Sequence, residues 1–192
     1  MTLRDQGNFT TDILQKIMHS YSDLINRCTV FTLDTLKEVN DKTIELLQTS
    51  GATVLIKTLQ MIQLQKTILV IGMFSLYESI LQEALECKNG FAEAKQIMQK
   101  GDNTDIIEEF SDLELAINVL KHGLGRSYDT LLSKNGGTLQ KYIKELDKNF
   151  EEGDVSEIAT LIKVDDDFVL HCSETIENVS KIINTIKPEI YL

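Results

Sequence analysis

Asn118 and His122 are the residues of this chain whose types and spacing could best do chemistry. Side chains four residues apart lie above one another on a helix, so an amide and an imidazole share one face here. Lys121 precedes His122, Gly123 and Gly125 follow it, and Arg126 comes next. An imidazole titrates near neutrality and can give or take a proton, while a guanidinium offers paired donors to a phosphate or carboxylate. Acid–base chemistry beside an anion is therefore the reaction type that His122, Asn118 and Arg126 could support as candidate catalytic residues. Lys121, Tyr128 and Glu78 are the candidate binding side chains. An alternative reading is structural, because a histidine at a helix C-terminus also complements the negative end of the helix dipole.

The elements that must position these groups are helices. Apolar residues between 104 and 122 recur at Ile106, Ile107, Phe110, Leu113, Ile117 and Leu120, the helical period, with Asn103 or Thr104 as cap and glycine as the stop. Upstream, a stripe from Ile13 through Ile17, Tyr21, Leu24 and Cys28 to Leu47 predicts one long arm or a helical hairpin over 11–50. The β-branched residues Thr29, Val30 and Thr32 mark a possible break. A second segment, 53–87, is apolar on more than one face around Ile68, Val70, Phe74 and Tyr77, which predicts a place at the centre of a bundle. Phe91 to Lys100 and Ser127 to Leu132 read as short helices, and 138–147 reads as helix or extended chain. Asp165, Asp166 and Asp167 precede a periodic final helix, where the dipole favours acidic residues. They lack the glycine and glutamate spacing of a calcium loop.

Composition sets the class. With 192 residues, 42% of them hydrophobic, the chain is long enough for one buried core, and a single domain is expected, with 11–50 as an arm and 53–186 as the bundle. Pro188 is its one proline, so long helices can run unbroken. The net charge of −11 argues against a broadly basic nucleic-acid surface. Cys28, Cys87 and Cys172 are far apart and odd in number, which points to reduced thiols in the cytoplasm rather than a disulfide framework or zinc cluster. Met61, Met73 and Met98 are expected to fill core gaps. No metal, cofactor or membrane span is expected.

Phe74-Ser75-Leu76-Tyr77-Glu78 in one helix, Ala116-Ile117-Asn118-Val119-Leu120-Lys121-His122-Gly123 at the end of another, and the amphipathic closing helix together resemble the HEPN superfamily, the higher eukaryotes and prokaryotes nucleotide-binding domains. The resemblance covers about 53–186. It implies an all-α, HEPN-like helical bundle, commonly a homodimer, and a role in phage defence or a toxin–antitoxin system. Many members are metal-independent ribonucleases whose motif is an arginine, four to six residues, then histidine, often with asparagine directly after the arginine.

This sequence departs from that motif. Asn118 and His122 match its polar residue and histidine, but Leu115, Ala116 and Ile117 stand where the arginine belongs. Neither His19 nor His171 completes it. Metal-free RNA cleavage needs proton transfer and a fixed positive charge on the phosphorane-like oxygens; His122 supplies the first, and the second falls to Arg126, Lys121 or a partner chain. Losing such a charge costs on the order of hundredfold in rate. The sequence therefore favours a HEPN-like binding or regulatory module, with RNA, a nucleotide or a protein as partner. An active ribonuclease with a displaced basic residue and a helical interaction scaffold are the alternatives. A continuous helix over 11–47 would extend about 55 Å, which makes a homodimer through its apolar face the expected assembly.

Overall fold

A computed structural model of the chain describes residues 20–134, 137–144, 154–190 and 192. His19, Gly136, the first part of the N-terminal stripe (11–19) and most of the turn near 151–154 lie outside the described residues. The fold is all-α. Six α-helices are described: α1 Tyr21–Leu47, α2 Thr53–Ala84, α3 Gly90–Gln99, α4 Thr104–His122, α5 Arg126–Ser133 and α6 Asp166–Ile186. A 3₁₀ turn, Gln140–Tyr142, leads into an isolated antiparallel bridge between Ile143 and Ile162.

The helix starts follow side-chain capping. Ser20 Oγ accepts from the Asp23 amide at 3.2 Å, Asn89 Oδ1 from Ala92 at 2.9 Å and Asp165 Oδ1 from Phe168 at 3.0 Å, each satisfying an amide that the first turn leaves open. Asn103 occupies the cap of α4 but turns its amide to the Met98 carbonyl at 3.2 Å instead.

α1 runs unbroken through Thr29–Thr32. Thr29 is fully buried and its hydroxyl lies 3.3 Å from Met73 Sδ, so tertiary packing overrides the weak helix preference of the β-branched residues. α1 packs on α2 and on α6, and α6 also packs against α3 and α4. The core forms where these meet: Phe74, Tyr77, Leu81, Phe110, Leu113, Cys172, Ile176, Val179 and Ile183 are each at most 1% exposed. Phe91 and Phe110 meet edge to face at 5.1 Å, a favoured aromatic geometry. The chain end is tied in by Leu192, whose amide donates to Asn184 Oδ1 at 3.3 Å and whose carbonyl accepts from Ser22 Oγ at 3.4 Å.

Two expectations need correction. α2 is not enclosed all round: only 28% of its most apolar 18-residue window is buried. Met61 is 64% exposed, while Met73 and Met98 do fill the core.

Candidate functional site

α4 carries the motif residues, and its ending follows from Gly123. That glycine adopts φ 74°, a left-handed conformation in which a side chain would be strained, and its amide closes the helix onto the Val119 carbonyl at 2.8 Å. Gly125 has φ 155°, and α5 begins at Arg126 with the Asp129 amide donating to the Gly125 carbonyl at 3.0 Å.

This geometry separates the candidate residues. His122, Lys121 and Arg126 are exposed, and among the described residues His122 makes no hydrogen bond or ion pair. Ile117, where the arginine of the motif would stand directly before the asparagine, is 3% exposed and belongs to the core. Asn118 is half-buried, and with the exposed Lys121 it lines a cleft of about 120 Å³ together with Glu78, Asn89 and Glu114, a lining that does not include His122. Gly90 allows this junction, because a Cβ there would come within 2.6 Å of the Glu78 carbonyl oxygen and 2.7 Å of Leu81 Cβ. Glu114 is paired with Lys95 Nζ at 2.7 Å. Two carboxylates against one lining ammonium do not make a phosphate site, which requires cationic excess.

Tyr128 is 1% exposed, and its hydroxyl donates to the Lys144 carbonyl at 2.7 Å. It anchors α5 to the segment after the 3₁₀ turn. His171 sits between helices, with Nε2 3.4 Å from Glu109 Oε1.

A wider cleft of about 420 Å³ opens where α2 meets the stretches flanking the Ile143–Ile162 bridge, and sequence reasoning missed it. Lys141, Lys144 and Lys163 line it with Asp154, Glu157 and Asp165. Lys144 and Glu157 form a largely buried ion pair. Hydrogen bonds from the Ser156 hydroxyl and amide hold the Asp154 carboxyl below its ordinary range. The main chain is laced across the bridge by Lys144 N to Leu161 O at 2.9 Å and Lys163 N to Tyr142 O at 2.7 Å. Both signs of charge line this cleft, and no regular spacing in the sequence signals it.

Comparison with protein-family models, with curated proteins and with solved structures returns no significant match.

Proposed function

We propose that this chain is a HEPN-like helical binding or regulatory module of the cytoplasm that does not itself cleave RNA, acting beside an effector in a phage-defence or toxin–antitoxin setting. The observation that carries the non-catalytic reading is the environment of position 117. Ile117 is a core side chain at 3% exposure, and His122 stands in solvent with no partner among the described residues. An imidazole alone supplies proton transfer without the charge that stabilises a pentavalent phosphate. The HEPN-like setting rests on the sequence resemblance and on the all-α architecture it implies.

The test is incubation of labelled RNA with an excess of purified chain in chelator-containing buffer. The RNA stays intact on this reading. Cleavage that disappears in His122→Ala and persists in Arg27→Ala, a change at an exposed residue paired with Asp23 on α1, would contradict it.

A further inference from the structure

The cleft beside the Ile143–Ile162 bridge sets charge of both signs against an apolar wall. Its volume of about 420 Å³ lies within the roughly 300–1,000 Å³ that small-molecule sites occupy. Lys141, Lys144 and Lys163 stand against Asp154, Glu157 and Asp165, so the cleft is neutral in a chain of net charge −11. A phosphate needs an excess of cation, and a calcium ion an excess of carboxylate oxygen. Most of these charges are already used. Lys144 is paired with Glu157, Asp165 Oδ1 caps α6 through the Phe168 amide, and the Lys141 ammonium lies 4.7 Å from the centre of the Tyr142 ring.

Lys163 and Asp154 are the opposite charges left open. The Ser156 hydroxyl and amide both donate to Asp154 Oδ1, at 2.6 and 2.9 Å, and Oδ2 has no hydrogen bond among the described residues. Those hydrogen bonds, and after them the charges of Lys144 and Lys163, hold the Asp154 carboxyl below its ordinary range. Lys163 therefore acts on Asp154 across the cleft, yet no ion pair joins the two among the described residues. The main chain of Lys163 is fixed by its amide, which donates to the Tyr142 carbonyl at 2.7 Å. Beside this open pair, Ile143, Ile158 and Val164 supply hydrocarbon.

We propose that this cleft binds a free α-amino acid with an apolar side chain: its carboxylate on the Lys163 ammonium, its ammonium on the Asp154 carboxylate, its side chain against Ile143, Ile158 and Val164. This stands independently of the RNA reading. A zwitterion satisfies both open charges by charge-assisted hydrogen bonds and leaves the cleft neutral. A ligand with one charge satisfies one of them and sets hydrocarbon against the other, which is unfavourable. The apolar side chain gains from the area it removes from water.

The experiment is isothermal titration calorimetry of the full chain with L-leucine and with two compounds that each lack one of its charges: 4-methylpentanoate, without the ammonium, and 3-methylbutylamine, without the carboxylate. L-Leucine binds with a Kd on the order of 1 mM or tighter. Both single-charge compounds, and glycine, which lacks the side chain, bind at least ~10-fold more weakly. Lys163→Met and Asp154→Asn each weaken L-leucine by at least ~10-fold with unchanged circular dichroism, both side chains being exposed. Lys37→Met, at an exposed site on α1, leaves binding as it is. Amide NMR shifts during the titration fall on residues 154–164. No saturation by about 10 mM, a single-charge compound or glycine that matches L-leucine, an affinity unmoved in either cleft variant, or shifts centred on the end of α4 each overturns the proposal.

Discussion

Ile117 and His122 lie on the same helix in opposite environments: the isoleucine is sealed in the core and the imidazole is exposed at the last residue of α4. A chemical pair drawn from these two positions would need a charged group where the fold needs a hydrocarbon. That relationship governs how the end of α4 responds to substitution.

Truncating the two residues should give contrasting results. Ile117→Ala removes buried methyl groups and leaves a cavity, lowering stability by about 2–4 kcal/mol. His122→Ala removes an exposed side chain that makes no hydrogen bond or ion pair among the described residues and changes stability by less than about 0.5 kcal/mol. Urea denaturation followed by circular dichroism measures both.

Tyr128 is a structural anchor, so Tyr128→Phe should act on stability. The substitution leaves the Lys144 carbonyl without its 2.7 Å donor, at a cost of about 1–2 kcal/mol. The same denaturation measurement detects it, and an equally large stabilisation would show that the hydroxyl plays no anchoring part.

The ion pair between Lys144 and Glu157 has side chains only 14% and 9% exposed. Lys144→Met takes the ammonium away from a mostly buried carboxylate and should cost ~3 kcal/mol, whereas Lys144→Met/Glu157→Leu removes both charges and should recover most of that loss. A double-mutant cycle reads the coupling directly.

Alkaline pH should unfold the protein through its buried phenols. Burial raises Tyr21 from 10.0 to about 12, with the nearby Cys28 thiol adding to the shift, and burial raises Tyr77 further despite its 2.9 Å hydrogen bond with Ser180. The unfolded chain ionises first, so this stability is complete below pH 10.0 and is lost as pH rises toward about 12. The Tyr21 hydroxyl is buried without a hydrogen-bond partner among the described residues. Tyr21→Phe should therefore be neutral or stabilising at neutral pH and should flatten the alkaline decline, as measured by denaturation midpoints across that range.

Local chemistry made much of the fold legible. The helical period, the scarcity of proline, the Asp165 cap and the two glycines after His122 each act over a few residues, and the helices start and stop accordingly. What escaped depends on which faces meet. Periodicity marks Val54, Met61 and Ile68 as apolar but does not say whether their own chain covers them. Thr29 reads as a weak point in α1 until Met73 is seen against it. Asn118 and His122 share a face by spacing, yet the junction of α2, α3 and α4 takes the amide into a cleft and leaves the imidazole outside its lining. The Lys144–Glu157 cleft joins segments whose residues have no periodic relation.

On the proposed function the imidazole at the end of α4 does not cleave RNA, and the most direct test is the single-turnover rate of metal-free RNA cleavage by the wild type and by His122→Ala. The account predicts two indistinguishable rates, both at the uncatalysed background, and a wild-type rate higher by about a hundredfold or more would contradict it.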